Sequence, residues 1–306
     1  MIRFEVVSKR PKFFERLSGH TLEEFYVLVA AFDSAWIEQR QKERLGHHYQ
    51  RSLGGGRTPE LASIEDKLLF ILVYTRAYPT FFVAGLLFGL SEASTCEWFH
   101  RLLPSLDRAL GYARMKPSRK HGRNLEEILA EFPEIIELGL LADGTERPMR
   151  RPKNKDKEKS RFSGKKKDHT VKNVILTHPK TNRVLHLTRT RDGTVHDKKA
   201  LEEEDLTCHE DILIGLDGGF PKLEIGRARI IRPTYKLPGG ELSESNKNQN
   251  RAFSSVRMHV EHAIAGIKRS RIATDILRLK DETDADTVMS VATGLHNLRV
   301  AHRSAT

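Results

Sequence analysis

The sequence predicts two parts of different fold class: an all-α N-terminal part with a helix-turn-helix-like pair, and an α/β part with a mixed sheet flanked by helices. Apolar residues recur at helical spacing to about residue 111, whereas short strand-like apolar runs begin near residue 134. A stretch rich in glycine, proline and cations, GYARMKPSRKHGRN at 111–124, separates the two patterns and is typical of an exposed linker. We therefore predict a domain boundary between residues 123 and 124.

The composition is that of a globular protein with a polyanionic partner. Hydrophobic residues make up 38% of the 306 residues, charged residues 30%, and the mean hydropathy is −0.50. No apolar run reaches the roughly 20 residues that span a bilayer, so we expect no membrane contact. The net charge of +11 favours nucleic acid as the partner. The first residues lack the plan of a secretory signal, and we expect a cytoplasmic location.

Residues 1–56 are predicted to hold an N-terminal arm, one helix and a glycine-rich linker. IRFEVVS at 2–8 alternates like an edge strand. Thr21 followed by Glu24 is a capping-box pattern that predicts a helix running to about Gly46. HHYQRSLGGGR at 47–57 is more typical of a hinge than of a phosphate loop, because no GK[ST] follows it.

Residues 57–123 are predicted to form a DNA-binding domain followed by the basic linker. Three short helices begin after polar residues typical of N-caps, namely Ser63, Thr80 and Ser91. We expect Pro104 to kink the chain at the end of the third helix. Only residues 89–91 separate the second helix from the third, which is the helix-turn-helix plan. Arg101 is the cation of the expected recognition helix, although an ordinary helical bundle is the alternative.

Residues 124–306 are predicted to form the α/β domain. Five strand-like runs lie at 134–143, 171–177, 183–190, 211–217 and 228–231, with a hairpin between the second and third and a crossover helix before the fourth. Asp143 and Asp217 each end a strand before a glycine. Because neighbouring strands open on one crevice at their carboxyl ends, we expect these carboxylates to meet. For either aspartate alone, a turn-forming role is the alternative.

A third carboxylate stands in RAFSSVRMHVEHAIAGIKRSR at 251–271. At about 100° per residue, Arg257, Glu261 and Lys268 share one helix face. An apolar stripe lies about a quarter-turn away and consists of Val256, Val260, Ala263 and Ile267. An exposed Glu261–Arg257 pair, which stabilises a helix by about 0.2–0.5 kcal/mol, is the alternative. Three carboxylates without cysteine or paired-histidine ligands suit Mg²⁺ or Mn²⁺. Two such ions about 3.5–4 Å apart catalyse phosphodiester chemistry.

Taken together, these motifs resemble the DDE transposases, in the branch named for insertion sequence five and related to Harbinger elements. The likeness covers nearly the whole chain from about residue 57. It rests on DGTE at 143–146, FSGKKKDHT at 162–170, LDGGF at 216–220 and the R-x3-E-x6-K spacing from Arg257 to Lys268. Two positions depart from the pattern: Ser254 stands where related transposases often have tyrosine, and Phe220 where the second motif usually continues with tyrosine.

The resemblance implies a ribonuclease-H-like mixed sheet flanked by helices for residues 124–306. It also implies Asp143, Asp217 and Glu261 as catalytic residues and metal ligands, with two Mg²⁺ or Mn²⁺ ions in each active site. His196 in DGTVHD could lie near the metals, but Thr194 or Asp197 capping the next helix explains that motif as well.

A cation-rich stretch follows Asp143. Residues 147–167 contain eleven lysines and arginines, opposed only by Asp156 and Glu158. Most charge runs are simply solvated, but this position favours a clamp on the DNA backbone. The residues that we predict to bind DNA are Arg101, Arg150, Arg151, Lys165, Lys166, Lys167, Arg257 and Lys268.

The function that these motifs imply is that of a DNA transposase. Such an enzyme binds the terminal inverted repeats of its element, hydrolyses phosphodiesters with metal ions to free 3′-hydroxyl ends, and joins those ends to target DNA. The resemblance further implies a homodimer or larger assembly on double-stranded DNA, near the bacterial nucleoid. A metal-dependent nuclease without strand transfer and a catalytically idle DNA-binding regulator are the alternatives.

The last helix of the chain, TDADTVMSVATGLHNLRVAH, resembles the family's C-terminal helix and is expected to pack on the sheet.

Overall fold

A computed structural model describes residues 1–44, 59–122, 124–236, 239–279 and 282–304 of the chain. The chain divides into two compact units. Unit 1 consists of Met1–Lys116, Lys268–Asp275 and Thr287–His302, and unit 2 of Pro117–Ile267, Ile276–Asp286 and Arg303–Thr306. The predicted glycine-rich linker at 47–57 lies outside the described residues. The predicted domain boundaries, after residues 56 and 123, stay predictions.

Helices make up the described part of unit 1. They are α1 (Phe4–Val7), α2 (Pro11–Ser18), α3 (Leu22–Arg44), α4 (Ile64–Ala77), α5 (Phe81–Phe88) and α6 (Glu92–Tyr112), with a 3-10 turn at Arg271–Ala273. The predicted edge strand at 2–8 is wrong, because Phe4 begins a short helix. Its ring stacks on Phe25 at 4.9 Å between centroids, and its backbone N–H donates to Asp66 at 2.7 Å. These contacts with distant residues could not be read from the local alternation.

The predicted helix caps of unit 1 are confirmed. Glu24 N–H donates to Thr21 Oγ1 at 3.2 Å, and Thr21 N–H donates back to Glu24 Oε2 at 3.3 Å, which is a reciprocal capping box. The side chains of Ser63, Thr80 and Ser91 each accept a bond from the backbone N–H three residues on. Between α5 and α6 the turn opens with Gly89 at φ +72°, a conformation that favours glycine.

Pro104 does not end the third of the three predicted helices, which is α6. Instead, α6 continues through it to Tyr112. A proline inside a helix costs about 3 kcal/mol, whereas each fully buried leucine contributes about 1.5–3 kcal/mol. Leu102, Leu103 and Leu106 are buried on either side of the proline. Their burial offsets the missing backbone hydrogen bond, which explains why the helix is longer than predicted.

The last helix, α12 (Glu282–Ser304), packs elsewhere than predicted. Its residues Thr287–His302 belong to unit 1 and not to the unit that holds the sheet. Ser290 Oγ donates to Asp107 at 2.6 Å, and Asn297 donates to the Met115 carbonyl at 3.0 Å. A Cβ atom at Gly294 would lie 2.9 Å from the Leu110 side chain, so the two helices approach closely there. No helix among the described residues is long and apolar enough to cross a membrane.

Unit 2 is built on a mixed sheet. Its strands are β1 (Leu140–Pro148), β2 (Phe162–Ser163), β3 (Asp168–Thr177), β4 (Val184–Leu187), β5 (Arg191–Asp192), β6 (Leu213–Gly215) and β7 (Arg229–Ile231). Their order is β2-β3-β1-β6-β7, and β4 and β5 also pair with β3. β3 is antiparallel to β1 and to β4, whereas β6 is parallel to β1 and β7 parallel to β6. Each of the five predicted runs overlaps a strand, whereas β2 and β5 were not predicted.

Helices flank this sheet, as predicted for the α/β class. They are α7 (Leu125–Leu129), α8 (Ile135–Leu138), α9 (Lys155–Arg161), α10 (Asp197–Glu202) and α11 (Glu244–Lys268). The first predicted strand begins later than expected because its amino half forms α8. Gly139 then turns the chain at φ +74°, where a Cβ atom would lie 2.7 Å from the Leu213 carbonyl oxygen. This close approach lets β1 pair with β6.

Replacing Thr21 tests the capping box. We expect Thr21→Ala to lower the free energy of unfolding by about 1 kcal/mol, because the Glu24 N–H loses its acceptor. Thr21→Ser keeps the hydroxyl and should retain most of the stability. Urea denaturation of the three proteins measures the difference. Equal midpoints for the alanine variant and the unsubstituted chain would contradict a stabilising cap.

Candidate active site

The site begins where β1 and β6 separate. Their parallel register ends with Leu141 opposite Gly215, and Asp143 and Asp217 each follow two residues later. Asp143 does not end its strand as predicted, because β1 stays paired with β3 as far as Pro148. Of the two strands, only β6 ends at the site. Its departure leaves Asp143 beside an open edge of β1, next to the chain that carries Asp217.

Local hydrogen bonds hold both aspartates. The backbone N–H of Gly144 donates to Asp143 Oδ1 at 2.8 Å, and that of Gly219 donates to Asp217 Oδ1 at 2.8 Å. The turn-forming role considered for aspartates at these positions therefore applies to Asp217. Phe220 lies next in the chain and is only 1% exposed within the core of unit 2. A buried position of this kind suits an aromatic ring without a hydroxyl group.

Helix α11 brings the third carboxylate to this edge. Val260, Ala263 and Ile267 are buried, as the predicted apolar stripe requires, whereas Val256 at the start of that stripe is 42% exposed. Phe253 lies against Gly215, where a Cβ atom would come within 3.1 Å of the ring. The helix is thereby docked at the end of β6.

One guanidinium group lies among the three carboxylates. Arg257 Nη2 is 3.4 Å from Asp143 Oδ2, 3.8 Å from Asp217 Oδ2 and 3.9 Å from Glu261 Oε1. Arg257 and Asp143 are largely buried, whereas the Glu261 side chain is 61% exposed. Glu261 therefore does pair with Arg257, but the same arginine also contacts both aspartates. Ser254, at the position where the related motif often has tyrosine, is exposed.

The electrostatics of the site disfavour ionisation of Asp143. Burial is the main cause that raises the pKa of Asp143 above its usual value, and the nearby carboxylates of Asp217 and Asp197 raise it further. The Arg257 charge and the Gly144 N–H lower the pKa without cancelling the effect of burial. The site therefore holds more negative charge than its single arginine neutralises.

Comparisons with known proteins identify the family of the chain. Residues 142–297, just over half of the chain, match the family described as DDE superfamily endonuclease. The chain belongs to this family. Residues 59–111 match the helix-turn-helix of DDE superfamily endonuclease, which confirms the predicted module formed by α5 and α6.

A curated relative extends the comparison beyond the catalytic part. The chain is 28% identical over 265 residues to "Probable transposase for insertion sequence element IS702" of Microchaete diplosiphon, covering 87% of this chain and 86% of that protein. No solved structure matches the chain. The family and this relative together support a nuclease or transposase enzyme that binds DNA.

DDE superfamily endonucleases use divalent metal ions, and the donor set of this member fits them. The described residues contain no group of three or more His, Cys, Asp and Glu side chains already arranged around a metal position. Nevertheless, three carboxylates surround one cationic group, and one guanidinium neutralises only part of their charge. Oxygen-only donors with excess negative charge suit a hard dication. Asp143, Asp217 and Glu261 are therefore the residues that could hold it.

The family member has a further carboxylate near the site, Asp197, which sequence reasoning took for a helix cap. Asp197 Oδ1 lies 3.2 Å from Lys172 Nζ, and the same Lys172 lies 3.2 Å from Glu146. A Cβ atom at Gly144 would come within 2.6 Å of Asp197 Oδ2, so the glycine after Asp143 leaves room for this carboxylate. In the sequence, Gly144 was the one indication that another side chain packs closely beside Asp143.

The capping role considered for Thr194 or Asp197 is wrong, because no side chain caps α10. His196 occupies the cap position of α10 without a side-chain cap bond, and its side chain is exposed. Among the described residues, the His196 side chain makes no hydrogen bond or ion pair. Thr194 donates to the Ser160 carbonyl and does not cap the helix. A position of His196 near the metals stays a prediction.

The cation-rich stretch divides into buried and exposed members. Arg147 is 1% exposed, donates to the Ala285 carbonyl at 3.0 Å, and has a pKa lowered to about 10 by burial. Arg161 is buried and pairs with Asp192 at 3.0 Å. These two cations therefore hold the fold together and are not available to a DNA clamp. The exposed members include all of those named for DNA binding, namely Arg150, Arg151, Lys165, Lys166 and Lys167.

The two remaining cations predicted to bind DNA lie in unit 1. Arg101 on α6 pairs with Glu43 at 2.7 Å and lies over the rings of Trp36 and Trp98, at 5.3 and 5.7 Å from their centroids. Its intramolecular contacts are thus extensive. Lys268 is the last residue of α11 and is half-buried. Contacts of both residues with DNA stay predictions.

Asp143→Asn tests the electrostatics of the site. The pKa of Asp143 is raised in the folded state, so its ionised form opposes folding above that pKa, and this effect is absent below the unfolded pKa near 3.9. We expect Asp143→Asn to raise the Tm in metal-free buffer at neutral pH. The gain should shrink as the pH falls toward about 4 and be absent below that pH.

Thermal unfolding across a pH series measures this effect. The control is Asp211→Asn, which removes an exposed carboxylate. A lower Tm for Asp143→Asn than for the unsubstituted chain at neutral pH would contradict the argument.

Proposed function

We propose that this chain is the transposase of an insertion sequence, in the insertion-sequence-five branch of the DDE enzymes. It binds the terminal inverted repeats of its element, cuts phosphodiesters there to free 3′-hydroxyl ends, and joins these ends to target DNA. The single observation that carries the proposal is the convergence of Asp143, Asp217 and Glu261 on one guanidinium group. The similarity to the IS702 protein, which is named a probable transposase, supports it.

We propose a ribonuclease-H-like topology for the sheet that presents these residues. The support is the strand order and direction: β4, β3 and β1 form an antiparallel meander, and β6 and β7 add strands parallel to β1. The crossover from the meander to β6 passes through α10. In such a sheet the central strand β1 carries the first carboxylate, and its parallel neighbour β6 leads to the second.

Asp143, Asp217 and Glu261 would hold two Mg²⁺ or Mn²⁺ ions. Such ions, when bound, activate water or a hydroxyl group and stabilise the leaving oxygen of a phosphodiester. The protein contributes a partly buried edge, where electrostatic interactions are stronger than in water. Gly144 and Gly219 orient the aspartates through their N–H groups.

DNA binding is divided among three elements in this proposal. The helix-turn-helix of α5 and α6 binds the ends of the element. The exposed lysines of the β2–β3 turn contact the phosphate backbone near the active site. Arg257 adds a cation directly at the carboxylates, where a phosphate group must approach. Because two ends are joined, we propose a dimer or larger assembly on DNA.

Substitution of the three carboxylates tests the proposed chemistry. We expect Asp143→Asn, Asp217→Asn and Glu261→Gln each to reduce cleavage of DNA carrying the ends of the element by at least about a hundredfold, since even residues that only support metal ligands cost 10–100-fold. Cleavage is measured on end-labelled DNA with Mg²⁺. Glu244→Gln, at the exposed start of α11, is the matched control.

The products of that reaction separate the candidate functions. Joined products of element ends and target DNA identify a transposase, whereas cleavage alone identifies a nuclease. A catalytically idle regulator binds the DNA and leaves it intact. Cleavage that survives Asp143→Asn, or that proceeds in EDTA, would rule out the proposed mechanism.

Replacing Arg257 tests its place among the carboxylates. Because the guanidinium neutralises the same oxygens that a metal would bind, Arg257→Gln should bind Mn²⁺ more tightly in the absence of DNA. We expect about a fivefold gain, the factor that corresponds to the roughly 1 kcal/mol of a favourable, partly exposed ion pair. Arg251→Gln, on an exposed position of the same helix, is the control. Calorimetric titration that shows weaker binding in Arg257→Gln would contradict the competition.

A further inference from the structure

An exposed aromatic side chain stands at the base of the basic β2–β3 hairpin. Phe162 is 46% exposed, although it lies in a strand and pairs with His169 across the hairpin. The two rings meet edge to face at 5.6 Å between centroids. Lys165, Lys166 and Lys167 form the exposed turn directly after this strand. A clamp on the DNA backbone explains these lysines, but it does not explain a solvent-exposed phenylalanine ring beside them.

A cavity opens on the same ring. Its volume is about 400 Å³, and it is lined by Arg151, Glu158, Lys159, Phe162 and His169. Phe162 provides an aromatic wall, the two cations provide donors, and Glu158 provides an acceptor beside Arg151 at 2.5 Å. A nucleobase needs an apolar face to stack on and polar groups for its edge. Phosphate groups would use the cations alone.

The cavity wall is held in place by contacts on both sides of Phe162. Before it, Arg161 is buried and pairs with Asp192 at 3.0 Å. After it, Ser163 Oγ donates to Glu146 at 3.3 Å, and the Lys167 N–H closes the turn onto the Ser163 carbonyl at 2.7 Å. The aromatic ring is therefore presented by a fixed strand and not by a free loop.

The anchoring of Ser163 to Glu146 also relates the cavity to the active site. Glu146 is three residues beyond Asp143 on β1, which corresponds to about 10 Å along the strand. Phe162 itself pairs with His169, whose carbonyl accepts from the Met149 N–H, so the ring lies level with Met149, about 20 Å beyond Asp143 along β1. That length is roughly six stacked nucleotides at about 3.4 Å each. A DNA strand that runs along β1 with one phosphate at the carboxylates therefore brings a base about six nucleotides away to the level of Phe162.

We propose that the cavity at Phe162 binds an unstacked DNA base about six nucleotides from the cleaved phosphate, with the base stacked on the Phe162 ring. The ligand class is a nucleobase of a single strand or of a frayed duplex end. This inference rests on the proposed function only in taking DNA as the substrate. It adds a base-binding site to residues otherwise expected to hold phosphates.

The test compares two DNA tails in EDTA, so that no cleavage takes place. One duplex carries a short single-stranded thymidine tail, and the other carries the same tail without its bases. The full-length chain should bind the thymidine tail at least about fivefold more tightly, as expected for one stacked base. Phe162→Leu should erase this difference, and Phe162→Tyr should restore it, because tyrosine keeps the aromatic face.

Lys165→Ala is the matched control for backbone contacts. It should weaken binding of both tails by the same factor and reduce the slope of log affinity against log salt by roughly 0.7–0.9. Equal binding of the two tails by the unsubstituted chain would overturn the inference. A base preference that persists in Phe162→Leu would overturn it as well, since the stacking surface would then lie elsewhere.

The two proposals fail in different ways. If both tails bind equally while metal-dependent cleavage is intact, only the base site is refuted. If the thymidine preference depends on Phe162 but no cleavage is found, the base site stands and the catalytic proposal falls. Thermal unfolding of Phe162→Leu checks that the loss of an exposed ring leaves the fold intact.

Discussion

The carboxylates of Asp143, Asp217 and Glu261 lie close together at a partly buried site because a cation lies between them and offsets their repulsion. Their mutual repulsion grows as water is excluded, and burial alone already disfavours the charged form of Asp143. Arg257 lies within 4 Å of all three and so allows β1, the chain after β6 and helix α11 to meet. The end of β6 and the packing of α11 through Val260 and Ile267 bring the carboxylates together, and the charge of Arg257 offsets their repulsion.

The features predicted from the sequence are those that neighbouring residues determine. The capping box of Thr21 and Glu24 and the turn between α5 and α6 depend on a few adjacent positions. The same holds for the spacing of Arg257 and Glu261 within one helix. The three acidic residues could be named because each lies in a short motif. The meeting of Asp143 and Asp217 could be predicted as well, because it follows when two neighbouring strands separate at one edge of the sheet.

The rest depends on contacts between distant residues. Asp143 lies inside its strand because β3 continues to pair with it, and no local pattern reports where a partner strand ends. Arg147 looked like one more solvated cation, yet it is buried against Ala285, far along the chain. Asp197 was read as a cap, since its ion pair with Lys172 spans two elements. In each case a polar side chain had several possible partners, and the fold selected one.

The path of the last helix limits how such an enzyme can be rearranged by recombination. Residues 282–304 form one continuous helix, yet Thr287–His302 belong to the unit that contains the helix-turn-helix, and the residues up to Asp286 belong to the unit that contains the carboxylates. A gene fragment that ends at Lys116 would encode α6 without the segment that covers Leu110. Exchanging DNA specificity between relatives therefore means exchanging the carboxyl-terminal helix together with the amino-terminal region.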